Sequence, residues 1–277
     1  MTFAPELVLH DVTRQLCTAF IRDHDHGLLL HGGDGCGLRT LATGLAQALN
    51  TEHDGTIFIE PLDDKDISIE QIRQLYHDTR AVRNHQLTVI IDDAERMSVP
   101  AQNAFLKLLE EPPARVVFIL TSHSPQLLLE TIRSRVSSIE VRPISAEASR
   151  QLITSAGVTD ATTISQLLFL ARGKPAGLLK LIASPDYFAH RAETMRVARS
   201  IVQSSTFQRL ILLREAMGER ERALEIVETI GDVIQFGMKK APTPHTADQL
   251  GVISRTIDHL KANANVRLQL LSLALAL

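Results

Sequence analysis

The stretch HGGDGCGLRT, residues 31–40, decides how this chain is read. It follows an apolar run, Gly27–Leu30, and opens a segment with apolar residues at Leu38, Leu41, Ala42, Leu45, Ala46 and Leu49, the spacing of one helix face. Strand, glycine-rich turn and helix together are the setting of a phosphate-binding loop, G-x-x-x-x-G-K-[ST]. Gly32 and Gly37 hold the two glycine positions, but Leu38 stands where the motif has Lys, and Arg39 where it has Ser or Thr. The lysine brings positive charge to the β- and γ-phosphates and the hydroxyl ligates Mg²⁺. The loop therefore keeps the glycine spacing and lacks those two groups. A register shifted by one residue lets Arg39-Thr40 stand in for Lys-Ser/Thr. That shift puts Leu38 into a glycine slot, where a Cβ is a handicap, and a broad guanidinium where a point charge belongs. A plain glycine-rich turn that never held nucleotide is the third alternative.

Outward from this loop, strands and helices alternate. Thr56–Glu60 is a short β-rich run, and Leu87–Ile91 and Val116–Thr121 are continuous apolar runs of the kind buried on both faces of a parallel sheet. A last strand is expected near Ser138–Val141. Between them, helices are expected over Leu7–Asp23, after the caps Ser68 and Ser98, and over Pro125–Ser134, with Pro112-Pro113 stopping the third of these. The order implies a doubly wound α/β domain with a parallel sheet, in which ligands bind at the carboxyl ends of strands. Both the glycine loop and Asp92-Asp93 fall there. An apolar strand ending in two acids is the Walker-B arrangement, the first acid holding Mg²⁺ and the second polarising water. Asp92 takes the first slot and Asp93 the second, where Glu is usual. Without nucleotide, the same pair is a solvated acidic strand end.

Beyond Pro143 the strand signal ends. Ser145–Ala156, Thr162–Ala171 and Ala176–Ala183 read as short helices, and the chain from about Asp186 onward is helical in period, with breaks at Gly218 and Ala241–His245. The 277 residues suffice for two or three small domains. A net charge of −3 gives no global field for nucleic acid. Trp is absent, so stacking platforms for single strands are not evident. Two cysteines make neither a disulfide framework nor a metal-ligand spacing. No secretory pattern and no bilayer-length apolar run is present, so a soluble cytoplasmic protein with no membrane partner is expected.

The runs IEQIRQL (69–75), TVIIDDAERM (88–97), AQNAFLKLLEEPPARVVFILTS (101–122) and LLETIRSR (128–135) strongly resemble bacterial clamp-loader AAA+ subunits. The likeness resumes at GKPAGLLKL (173–181), similar to the family's lid segment, and at ANANVRL (262–268), similar to its collar helix. It spans nearly the whole chain, and Asn103–Pro113 with Ser134-Arg135 is its most specific part. The resemblance implies a RecA-like AAA+ domain with a degenerate phosphate loop over 1–144, a helical lid over 145–185 and a helical collar, for oligomerisation, over 186–277. The implied partners are the gamma/tau motor subunits, the delta subunit, the sliding clamp and, through the complex, primer-template DNA.

Departures from the family narrow what is implied. Motor subunits keep Lys in the loop and an Arg in the lid, whereas this chain has Leu38, and Ala176 or a neighbour at the lid position. The family's Cys-rich zinc insertion is also missing, since Asn50–Gly55 holds no Cys. The resemblance therefore implies a member without a nucleotide, metal or zinc of its own, with ATP and Mg²⁺ expected in the neighbouring subunit. In the family's Ser-Arg-Cys motif the arginine reaches into that neighbour's site, so Arg135, with Ser134, is the implied arginine finger. Val136 replaces the Cys. The loop residues Gly32, Gly37, Leu38, Arg39 and Thr40, with Asp92 and Asp93, are then vestigial. Two alternatives stand beside this one: a motor subunit using the shifted Arg39-Thr40 loop, and an AAA+-derived scaffold outside replication.

Overall fold

A computed structural model describes residues 7–23, 25–50, 55–62, 66–80, 86–240 and 243–277. The chain forms two compact units, Met1–Ala183 and Ser184–Leu277. The first opens with α1 (Asp11–Asp23), β1 (Gly27–His31) and α2 (Leu38–Leu49), followed by β2 (Thr56–Ile59), α3 (Ile69–Thr79) and β3 (Leu87–Ile91). Then come α4 (Val99–Glu110), β4 (Val116–Ser122), the short α5 (Glu130–Arg133) and β5 (Ser137–Glu140).

The local chemistry of these boundaries is visible. Ser68 and Gln71 form a reciprocal capping box that starts α3. The Ser98 hydroxyl accepts from the Ala101 amide at the head of α4, where Pro100 occupies the first turn. The expected apolar face of α2 is buried in full. In α1, where helical spacing would put Leu9, Val12, Leu16, Ala19 and Phe20 near one face, the buried residues are Thr13, Cys17, Phe20 and Ile21, while Val12 and Leu16 are exposed and the helix begins at Asp11 rather than Leu7. The reason is polar. Thr13 Oγ1 donates to the Glu140 carbonyl at 3.2 Å and accepts from the Arg142 amide at 3.1 Å, turning the helix so that Thr13 faces the end of β5.

The helix expected over Pro125–Ser134 is also corrected. A 3-10 turn, Pro125–Leu127, precedes α5, with Leu128 and Leu129 extended between them. The buried Gln102 side chain stabilises the break, accepting from the Leu129 amide at 2.8 Å and donating to the Leu127 carbonyl at 3.4 Å.

The five strands lie in the order β2-β3-β4-β1-β5, every pair parallel. All residues of β3 and β4 are buried, as their unbroken apolar runs require when helices cover both faces. Phe105 of α4 meets Phe118 of β4 edge-to-face, centroids 5.3 Å apart. Register fixes what lies beyond the strands. Ile59 pairs with Ile91 and Ile91 with Leu120, so the next residues, Glu60, Asp92 and Thr121, come side by side at the carboxyl edge.

The helices α6 (Ala146–Ser155), α7 (Ala161–Ala171) and α8 (Pro175–Ala183) complete the first unit. Among the described residues the second unit is built of helices: α9 (Pro185–Gln203), α10 (Thr206–Leu213), α11 (Arg220–Lys240), α12 (Pro244–Lys261) and α13 (Val266–Ala276). Its core includes Ile201, Leu213, Val227, Ile230, Leu260 and Leu273. Of the expected Ala241–His245 break, residues 241 and 242 lie outside the described residues, and α12 starts at Pro244. No helix among the described residues is long and apolar enough to cross a membrane.

Candidate functional site

The loop between β1 and α2 sits at the carboxyl edge of the sheet. Gly37 adopts φ 85° and ψ 38°, a left-handed conformation in which a Cβ is unfavourable. The glycine-demanding position is thus 37, not 38. A Cβ there would also come within 2.8 Å of the Leu7 side chain. Leu38, in the lysine slot, is 3% exposed and part of the core. Thr40 is half-buried in the first turn of α2.

Arg39, which the unshifted motif register would put in the hydroxyl position, projects along the strand ends. Its Nη1 donates to Asp92 Oδ2 at 2.9 Å and to Glu60 Oε2, and its guanidinium lies 5.7 Å from the centre of the Phe58 ring. The Asp92 side chain is only 12% exposed, and its other oxygen accepts from Thr121 Oγ1 at 2.6 Å. Glu60, Asp92 and Thr121 are the row that strand register creates, and Arg39 closes it. The hydrogen bond to Glu60, with the charge of Asp92, holds the guanidinium yet more firmly protonated against the opposing effect of its partial burial.

Asp93 takes φ 48° and ψ 52°. Its carboxyl is pushed above the ordinary aspartate range by burial first, then by the charges of Asp92 and Glu95, with His123 and Arg96 opposing. His123 Nδ1 lies 2.9 Å from the Gly32 carbonyl and its Nε2 3.9 Å from Asp93 Oδ1, while its amide donates to Glu95 Oε1. His123 therefore links the glycine loop to the second acid, a connection that neither motif nor periodicity announces.

Helix α8 covers the other side of the loop. The Gly177 amide donates to the Gly35 carbonyl at 3.0 Å. A Cβ on Gly33 would lie 3.7 Å from Lys174 Nζ, and one on Gly37 3.4 Å from the Ala176 methyl. The space over a phosphate loop is thus lined by chain rather than left open. The Cys36 thiol beside it is buried and pushed up in pKa by that burial. Burial likewise pushes Cys17 to about 12; neither thiol has the electropositive, accessible setting of a nucleophile.

These residues do not fit Mg·ATP. In the unshifted register of the motif a buried leucine would stand in the lysine position and an arginine in the hydroxyl position, and Asp92 already has a cationic partner. Among the described residues no group of three or more His, Cys, Asp or Glu side chains could hold a metal ion.

Ser134 and Arg135 are not part of this row. They follow α5, where Ser134 is the C-cap residue and the Arg135 amide donates to the Ile132 carbonyl at 3.0 Å. Ile132 and Val136, on either side, are buried, and Val136 packs against Gly27. Val136 thus fills an apolar seat. The Arg135 side chain is 37% exposed; its Nη1 donates to the Thr131 carbonyl at 2.9 Å and to Ser134 Oγ at 3.4 Å, and its Nη2 pairs with Glu110 Oε1 at 3.0 Å.

Comparison with known proteins finds DNA polymerase III subunits among the relatives of this chain. A family model described as "DNA polymerase III, delta subunit" matches residues 49–145. The chain is 32% identical over 179 residues to DNA polymerase III subunit delta′ of Pseudomonas aeruginosa, covering 55% of this chain and 54% of that one. Subunit delta′ of Escherichia coli is 25% identical over 175 residues, covering 62% and 51%. DNA polymerase III subunit gamma/tau of Mycobacterium tuberculosis is 28% identical over 152 residues, covering 47% and 26%. The matches thus span about half the length of the delta′ relatives. Among solved structures, a DNA polymerase III gamma subunit-related protein of Thermotoga maritima superimposes with a TM-score of 0.55 at 18% identity, covering 96% of this chain and 98% of that one. The RuvB Holliday junction branch migration motor of the same organism gives 0.53 at 12% identity, covering 75% and 81%. The fold is that of the RecA-like AAA+ proteins, with a helical C-terminal part.

Proposed function

We propose that this chain, a relative of the DNA polymerase III clamp-loader delta-prime subunits, serves the replicative clamp loader as a subunit that turns over no ATP itself. The observation that carries this is the Arg39 guanidinium on Asp92 and Glu60. In a working site the first acid is free to hold a hydrated divalent cation. Here its charge is already matched by a cation covalently part of the chain, and displacing it would leave a carboxylate that is 12% exposed without its partner.

Arg135 is assigned the opposite duty, in trans. Phosphoryl transfer spreads negative charge over the γ-oxygens of the transition state, and an arginine supplied by a neighbour contributes roughly 10³–10⁵ in rate. A planar, permanently charged donor suits that task. Helices α6–α8 are assigned as the lid, the unit Ser184–Leu277 as the collar that joins the ring, and the gamma/tau and delta subunits, the sliding clamp and primed DNA as partners through the complex, in the cytoplasm.

Calorimetric titration of the purified chain with Mg·ATP is expected to show no binding. Micromolar binding abolished by Asp92→Ala would overturn the proposal in favour of a motor subunit using Arg39-Thr40. In a ring reconstituted with its motor subunits, Arg135→Ala is expected to leave assembly intact and to lower DNA- and clamp-stimulated hydrolysis at the one adjoining site by about 10³-fold or more. Unchanged hydrolysis would remove Arg135 from the mechanism.

A further inference from the structure

We infer that Glu110 is the positioning residue for Arg135, an inference that rests on Arg135 acting on a neighbour's phosphates. Glu110 is the last residue of α4, which ends there because Pro112-Pro113 cannot continue it. The preceding turn is anchored by Leu108 and Leu109, both buried, so the carboxylate projects from a fixed point. Arg135 stands on a second fixed point, between the buried Ile132 and Val136. The guanidinium bridges the two. One nitrogen is held by its own segment, through the Thr131 carbonyl and Ser134 Oγ, and the other by Glu110 across the gap between α4 and α5.

An arginine side chain has large rotamer freedom, and its own-segment contacts share a single nitrogen, Nη1. The Ser134 contact is long, at 3.4 Å, so Nη1 has one firm anchor, at Thr131, about which the guanidinium can still swing. Fixing Nη2 through Glu110 sets the plane. A guanidinium carries five N–H donors, and these three contacts leave others for an incoming anion. Both side chains remain accessible, Glu110 at 50% and Arg135 at 37%. An exposed pair of this kind is weak; it narrows the rotamers of Arg135 without competing seriously with a polyphosphate.

The test uses the reconstituted ring. Glu110→Ala is expected to lower the turnover of DNA- and clamp-stimulated hydrolysis roughly five-fold, with the KM for ATP, ring assembly and the melting temperature of the chain unchanged. Glu110→Gln, which keeps an acceptor oxygen at the same reach, is expected to restore most of that loss. The double variant Glu110→Ala with Arg135→Ala is expected to be no slower than Arg135→Ala alone. A faster Glu110→Ala ring would make the carboxylate a competitor of phosphate and overturn the inference, as would an additive loss in the double variant or no rescue by Gln. If Arg135→Ala lowers hydrolysis and Glu110→Ala does not, Glu110 alone loses its role. If neither changes it, the assignment of Arg135 itself has failed.

Discussion

Arg39 and Arg135 lie in the same unit, each paired with carboxylate, and they differ in what their partners would lose. Arg39 is the more exposed of the two side chains, at 55% against 37%. Its partner Asp92, however, is 12% exposed, whereas Glu110 is 50% exposed and can turn to water. An acid withdrawn from water depends on its counter-charge; an acid at the surface hardly does. Burial of the partner therefore decides whether an arginine is committed to the fold or available to a ligand. On the proposed function, the same residue type closes one site and serves another.

The largest expected effect on stability separates them directly. Among the described residues, Arg39→Ala leaves the Asp92 side chain its Thr121 bond and removes the cationic partner of Glu60. Breaking a buried pair costs about 3–5 kcal/mol; because Arg39 itself is more than half exposed, solvent screening reduces the expectation to about 1–3 kcal/mol. At about 2–4 °C per kcal/mol, thermal unfolding followed by circular dichroism should detect it easily. Arg135→Ala should stay within about 0.5 kcal/mol of the parent. Equal losses would break the comparison.

A double-mutant cycle sharpens it. Asp92→Asn in the Arg39→Ala background should recover part of the loss, because the uncompensated charge is gone, with a coupling energy of about 0.5–3 kcal/mol. Raising salt should weaken the Arg135 pair more than the Arg39 pair, since exposed charges are screened and partly buried ones much less. Additive effects at Arg39 and Asp92 would mean that the guanidinium stabilises Glu60 or Phe58 instead.

Legibility in the sequence divides along similar lines. Strands β3 and β4 could be read because every one of their side chains is buried, so the pattern is continuous. Helix α2 could be read because its apolar face is unbroken. Beside the His123 link, three features were obscured, each by a polar side chain bonded far along the chain. Thr13 turns α1 toward Glu140 and Arg142; Gln102 stabilises the break at Leu128-Leu129; Arg39 finds acids 21 and 53 positions away. Periodicity is blind to such ties. The last nevertheless had a signal: the hydroxyl slot of a phosphate loop and the first Walker-B acid converge on one cation, so a guanidinium in that slot is aimed at that acid. The partner Glu60 needed the register of β2 on β3. For Arg135 only the family motif singled it out, because an arginine at a helix C-terminus is otherwise ordinary.

The smallest expected effect concerns Asp93, the acid Arg39 does not reach. Its carboxyl titrates above the ordinary aspartate range, first through burial and then through Asp92 and Glu95. In the window between the unfolded and the raised folded value, the folded chain binds the proton more tightly, so its stability falls as pH rises through that window. Below the window the group is protonated in both states and costs nothing; above it the full penalty is present. Asp93→Asn removes the charge, and Asn tolerates the left-handed conformation at φ 48°. Since the Asp93 side chain is 41% exposed, solvent screening keeps the expected gain to about 0.5 kcal/mol at neutral pH. In denaturant titrations at several pH values, the gain should shrink toward zero as the medium is acidified below the aspartate range. A gain independent of pH would place the effect in the backbone conformation, and a loss would mean that the attraction of His123 and Arg96 for Asp93 outweighs the repulsion from its acidic neighbours.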